Sequence, residues 1–239
     1  MNPIDFRRID QHQLVEAVFC LSGGQPVDER LPERYQGKKA DIVFAEANLI
    51  AEVKSLTSDR SIDGSVREKV GAVLAKGAAY GAPIIFGTGS INVNDLPTTV
   101  GERVVRVLGA RARKVVIAAG RQIEQTRSIL SMPEAYGLVA FISPAHVLGQ
   151  QTLRWLIHDL LKKRGDFAGL DGAMLIQTPI CFDGGGLVPG DTFSSLWSIS
   201  GRPFPEGLGE MIGDAWVALT GQFSRPEDYE DFASHGMTE

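Results

Sequence analysis

Two short apolar runs, Ala40–Phe44 (ADIVF) and Leu49–Leu56 (LIAEVKSL), carry three charged residues: Asp41, Glu52 and Lys54. Their Ile, Val and Phe content and their length favour strands, and the four-residue gap Ala45-Glu46-Ala47-Asn48 favours a hairpin. Side chains alternate along a strand, so Glu52 and Lys54 share one face while Ala51, Val53 and Ser55 share the other. A hairpin closing symmetrically about residues 45–48 pairs Phe44 with Leu49 and Asp41 with Glu52. Directly opposed residues have Cβ atoms about 4.5–5.5 Å apart and point to the same face. The register therefore predicts two carboxylates and one ammonium converging between apolar runs.

Two facing carboxylates repel, and the arrangement makes sense with a divalent cation between them. Mg²⁺ wants oxygen ligands, keeps several waters and takes only one or two protein carboxylates. Such an ion lowers the pKa of a bound water, making it an in-line nucleophile, and neutralises charge on a phosphoryl oxygen. Lys54, on the same face, would stabilise the attacking hydroxide or the charge of a five-coordinate transition state. The ordinary alternative is a carboxylate–lysine cluster on the solvated face of a hairpin, the usual meaning of an isolated Glu-x-Lys. Asp41 opposite Glu52, with apolar runs on both sides, sets the metal reading level with that alternative, and the residues alone leave both open.

The surrounding elements read as follows. Asp10 and Gln13 look like the start of a capped helix carrying the stripe Leu14, Ala17, Val18 and Leu21 and ending at Gly23-Gly24. Residues 25–37, with two prolines and mixed charge, read as a loop. Val66–Tyr80 and Val100–Leu108 read as helices, with an irregular stretch at 81–97. Arg111–Leu130 is ambiguous: Val115-Val116-Ile117 suits a strand, yet Val116, Ala119, Ile123, Thr126 and Leu130 fit one helical stripe, and the helix is favoured, Gly120 included. Gly137–Ser143 reads as a strand covered on both faces. An amphipathic helix follows over Leu153–Leu161, closed by Lys162-Lys163-Arg164, and Ala173–Ile180 reads as another strand. From about 183 the chain reads as a Gly- and Pro-rich tail with one helix near Leu208–Leu219 and an acidic end. The order predicts an α/β fold with a mixed sheet.

The chain resembles the PD-(D/E)xK nuclease superfamily. Asp41 matches its metal-binding aspartate, Glu52-Val53-Lys54 its (D/E)-x-K, and Glu16 stands where many members carry an acidic residue in the preceding helix. The resemblance extends by element order over roughly Asp10–Leu56 and Arg111–Ile180, with Arg111–Leu130 as the core helix. Departures are the absence of proline before Asp41, where Lys39-Ala40 stand, and a helical insertion at about 57–109. It implies a single restriction-endonuclease-like domain over 1–239: a mixed sheet flanked by helices. It further implies hydrolysis of phosphodiester bonds in DNA with Mg²⁺, or Mn²⁺ as a substitute. Asp41, Glu52 and the Val53 carbonyl would hold the metal. Lys54 would assist the attacking water, and Glu16 would orient it or bind a second ion. Similar nucleases often carry a Gln or Lys in the core helix, and Gln122 is the candidate here. Since such enzymes often pair to cut two strands, a homodimer is compatible. Two other readings stay open: a nuclease fold kept as a binding or assembly module, and a metal hydrolase of small phosphate esters.

Of the 239 residues, 44% are hydrophobic and 22% charged, enough for one good core and against disorder. The net charge of −5 argues against a nucleic-acid coat over the whole surface. Arg103, Arg106, Arg111, Arg113, Lys114, Arg121 and Arg127 against Glu124 still make one basic stretch, whose ordinary meaning is a solvated helix face. Cys20 and Cys181 form no Cys/His cluster, so structural zinc is disfavoured. With no signal pattern and no apolar run of 18 residues, the expectation is a cytoplasmic, non-membrane protein. Gly87–Ser90 and Gly184–Gly186 lack a phosphate-loop lysine and read as turns. His12, His146, His158 and His235 read as isolated, with His158 packed in its helix. The serines Ser194, Ser195 and Ser200 lack a hydrolase context, and Trp155, Trp197 and Trp216 read as core.

Overall fold

The computed structural model describes residues 11–32, 35–56, 64–84, 93–144, 154–159, 169–178, 192–220 and 224–226. Seven strands form one mixed sheet in sequence order: β1 (Gln25–Pro26), β2 (Ile42–Phe44), β3 (Leu49–Ser55), β4 (Tyr136–Pro144), β5 (Gly172–Thr178), β6 (Thr192–Ser198) and β7 (Ser224–Pro226). The β1–β2, β2–β3 and β5–β6 pairs are antiparallel, and β3–β4, β4–β5 and β6–β7 are parallel. The helices are α1 (Gln11–Leu21), α2 (Gly64–Gly77), α3 (Thr98–Leu108), α4 (Ala110–Ile129) and α5 (Leu208–Thr220), and residues 154–159 are also helical. The architecture is α/β, a mixed sheet flanked by helices.

Alternation along the central strands divides the core in two. Ala51, Val53, Leu138 and Ala140 pack with Leu14, Val15, Val18 and Phe19 of α1 and with Ile212 and Trp216 of α5. On the other face Val43, Ile50, Val139 and Phe141 pack with Val116, Ala119 and Ile123 of α4. Glu52 alternates with Ala51 and Val53 and so belongs with Ile50 to the α4 face, whereas Asp41 precedes β2 and sits at the sheet edge. The parallel step from β3 to β4 needs a long crossover, and α2, α3 and α4 supply it. Within it, α2 and α3 bury a small core of their own: Leu74, Ala82, Leu96, Val100 and Val104.

α4 runs unbroken through Gly120, as its stripe predicts, and not as a strand at 115–117. Glycine is required in the turn packed against that helix. Gly169 has φ +88°, and a Cβ there would strike the Gly120 carbonyl. Four expectations are corrected. The buried stripe of α1 is Leu14, Val15, Val18 and Phe19, whereas Ala17 is exposed and Leu21 is 56% exposed. Residues 25–37 are not loop alone: Gln25 and Pro26 pair with Val43 and Ile42, and Val27–Arg30 forms a 3₁₀ turn. The segment beyond 183 is more than a tail with one helix, since it also contributes β6 and β7, and α5 buries Leu208, Ile212, Ala215 and Trp216. His158 is exposed rather than packed. Trp197 and Trp216 are buried, as expected. Asp10, Gly87–Ser90, His146, residues 160–164, Cys181, Gly184–Gly186, His235 and the acidic end lie outside the described residues. No helix among the described residues is long and apolar enough to cross a membrane.

Asp171, buried just before β5, ties four segments together. Its carboxylate accepts from Gly137 N (2.9 Å), Ser200 Oγ (2.9 Å), Arg127 (2.7 Å) and Arg202 (3.1 Å). Burial pushes this carboxyl up, but these hydrogen bonds and the two guanidinium groups overcome it and leave it below its ordinary value. A depressed carboxyl contributes stability that is present above the ordinary carboxylate range and is lost as pH falls through the folded value. Asp171→Ala should cost about 1–3 kcal/mol at neutral pH, because the Gly137 N–H and Ser200 hydroxyl lose their acceptor, while Arg127 keeps Glu124 and the Ala135 carbonyl. Urea denaturation at pH 7 and pH 3 checks both statements: the variant's deficit should shrink in acid.

Candidate metal centre

The β2–β3 register is Ile42↔Ala51, Val43↔Ile50 and Phe44↔Leu49, and it ends before Asp41, whose charge nonetheless reaches Glu52. The turn that fixes this register reverses at Asn48, φ +48°, a conformation asparagine tolerates. Asp41 N still donates to Ala51 O (3.2 Å), but β2 goes no further. β3 runs on to Ser55 with β4 as its strand partner, Glu52 beside Val139 and Lys54 beside Phe141. Where β2 is missing, the Asp41 carboxylate takes its place and accepts the Val53 N–H at 2.7 Å. The N–H and C=O of one extended residue face the same side, so the Val53 carbonyl is directed to this edge as well.

Glu52 has no solvent exposure. Lys54 Nζ, on a side chain 24% exposed, donates to its Oε1, while its Oε2 has no partner. Burial, and then the charge of Asp41, push the Glu52 carboxyl up to about 8, against the opposing pull of Lys54. At neutral pH and without a cation the group therefore holds a proton.

Glu16 comes from the other side, on α1. His12 Nε2 lies 3.3 Å from Glu16 Oε1, and one ligand atom from each of His12, Glu16 and Asp41 falls within 4.8 Å of the others. Glu16 thus lies beside Asp41. Sequence reasoning missed His12. The available signal was its i, i+4 spacing from Glu16, which places both on one side of the helix.

Gln122 donates from Nε2 to the Lys39 carbonyl (2.9 Å), which makes it a positioning residue. Thr126, also missed, works beside it: its Oγ1 accepts the Ala40 N–H at 2.7 Å and donates to Gln122 O at 2.8 Å. α4 thereby grips the two residues that precede Asp41, and Lys39 is further held by Asp28. Thr126→Val keeps the shape and leaves the buried Ala40 N–H without its acceptor. It should cost about 1–3 kcal/mol in thermal or urea unfolding, and metal affinity should fall with it as Asp41 loosens. Of the basic stretch, Arg106 is taken up by Asp159 and Glu102, and Arg127 by Asp171 and Glu124. Arg111, Lys114 and Arg121 lie exposed on α4.

No protein-family model, curated protein or solved structure matches this chain. The residues themselves carry the test of whether a cation fits. Asp41 and Glu52 are neighbouring carboxylates, and burial with their mutual repulsion keeps Glu52 protonated, a penalty that a divalent ion between them would relieve. All the groups facing this edge are oxygen donors apart from His12 and the Lys54 ammonium. That set suits a hard divalent ion.

Proposed function

We propose that the protein is a Mg²⁺-dependent nuclease of the PD-(D/E)xK kind, hydrolysing phosphodiester bonds in DNA. The observation that carries this reading is the meeting of Asp41, Glu52 and Lys54 where β2 stops and β3 continues, with one Glu52 oxygen buried and unpartnered. Asp41, Glu52 and the Val53 carbonyl would hold the ion. Bound there, it supplies a Lewis acid for a phosphoryl oxygen and lowers the pKa of water.

The chain's own residues do the rest. The Val53 N–H fixes the Asp41 carboxylate. Gln122 and Thr126 hold the backbone before it. Lys54, partly exposed, places a positive charge beside Glu52 where the anionic substrate must approach. Glu16 lies close enough to Asp41 to orient the attacking water. That water's oxygen bonds to phosphorus, its proton passes to solvent, and the ester oxygen leaves and takes up a proton. Arg111, Lys114 and Arg121 on the outer side of α4 suit a polyanion.

Incubation with supercoiled plasmid DNA tests the reading. Nicking or linearisation with Mg²⁺, abolished by EDTA and by Asp41→Ala, is the expected result. DNA left intact with Mg²⁺ bound would favour the small-ester hydrolase. Intact DNA with no Mg²⁺ or Mn²⁺ binding by calorimetry would favour the assembly module.

A further inference from the structure

We infer that the solvent line of α4, with Tyr35 and Lys38, is a track for one DNA strand leading to the Asp41 edge, so that the protein takes single-stranded DNA in preference to duplex. This rests on the nuclease reading and names the form of its substrate. Lys114, Ala118, Arg121 and Gln125 stand at i, i+4, i+7 and i+11, which aligns them along one side of the helix, and all four are exposed. Val116, Ala119 and Ile123 are buried on the other side. The line carries no carboxylate, since Glu124, the acidic residue of α4, lies off it and pairs with Arg127.

Contacts join the C-terminal half of this line to the site. Gln125 Nε2 donates to the Tyr35 hydroxyl at 3.2 Å, and Gln122 Nε2 to the Lys39 carbonyl at 2.9 Å. The segment from Tyr35 to Lys39 is thus held against α4, and Asp41 follows two residues on. Lys38 adds an exposed ammonium to it, whereas Lys39 is taken up by Asp28. Lys114, Arg121 and Lys38 therefore lead from the helix to the site in a chain of net charge −5. The first two are separated by about 10 Å along the helix axis, the rise of about three nucleotides of one strand. A single row of cations matches one phosphate backbone, and a duplex presents two. Tyr35, partly exposed and fixed through its hydroxyl, adds an aromatic ring beside the row. Stacking on such a ring is open to unpaired bases and closed to bases stacked within a duplex.

Fluorescence anisotropy of the full chain in EDTA, where nothing is cleaved, provides the test. The probes are a labelled DNA oligonucleotide and the same oligonucleotide annealed to its complement. Wild type should hold the single strand tighter by on the order of tenfold, the worth of one or two stacked bases. Lys114→Gln and Arg121→Gln should each reduce the slope of log affinity against log salt by about 0.7, the share of one phosphate contact on a single strand. Both are surface positions, so the circular dichroism melt should stay unchanged. Tyr35→Leu should weaken the single strand about fivefold or more and leave the duplex as it was, while Tyr35→Phe, which keeps the ring, should bind like wild type. Duplex held as tightly as single strand, or single-strand binding untouched by the Lys114 and Arg121 changes, would overturn the inference, and Mg²⁺-dependent plasmid nicking would still uphold the nuclease reading. Binding of neither form, together with no nicking, would overturn both.

Discussion

Glu52→Gln should make the protein more stable and leave it inactive. In the folded chain the Glu52 carboxyl is raised to about 8 by burial and by Asp41, whereas unfolding returns it to its ordinary value. Between the two values the folded state holds a proton that the unfolded state releases, so wild-type stability falls as pH rises across that window and is fully present only below it. Glutamine carries no such linkage. The variant's advantage, without metal, should be near zero at pH 4 and on the order of 4 kcal/mol at pH 8. Urea denaturation in EDTA at these two pH values measures it. Saturating Mg²⁺ should narrow the gap, because a ligand at a hundred times its dissociation constant adds about 2.7 kcal/mol to the form that binds it. Equal stability of the two proteins at pH 8 in EDTA would mean that Glu52 is not a strained buried acid.

Lys54→Ala separates chemistry from binding. The side chain is a quarter exposed and reaches one oxygen of Glu52, so its loss removes neither a core contact nor a metal ligand. Cleavage should drop by on the order of 10²–10³-fold, the size of effect that follows loss of one preorganised charge-stabilising donor. Mg²⁺ should still bind at pH 8.5, and the thermal midpoint should stay within a few degrees of wild type. Timed plasmid-nicking assays beside calorimetry give both readings. Full activity in the variant would remove Lys54 from the reaction.

What could be read from the sequence was what local rules determine. The hairpin was legible because a four-residue gap between two short strands leaves little freedom of register, and Phe44 pairs with Leu49 as the symmetric turn requires. The long stripe of α4 likewise decided helix over strand. Failures came where distant packing decides. On α1, Leu21 is as apolar as Val15, and only the docking of the helix on the sheet shows that Val15 and Phe19 are inside and Leu21 is out. Thr126 looked like one more stripe residue, yet it satisfies a backbone N–H 86 residues away, a role that no periodicity reports. His12 looked isolated although its partner Glu16 stands one turn on in the same helix; only Asp41, which lies near both, comes from another element. β6 was hidden in a Gly- and Pro-rich neighbourhood, where its strand identity comes from pairing with β5.

Anomalous diffraction from a crystal soaked in Mn²⁺ addresses the centre itself. A peak beside both the Asp41 and Glu52 carboxylates, with a Glu52 oxygen coordinated and the peak absent in Asp41→Ala, is the expected result. Mn²⁺ density elsewhere only, with Glu52 still bound to Lys54 and its second oxygen bare, would contradict a shared cation between the two strands.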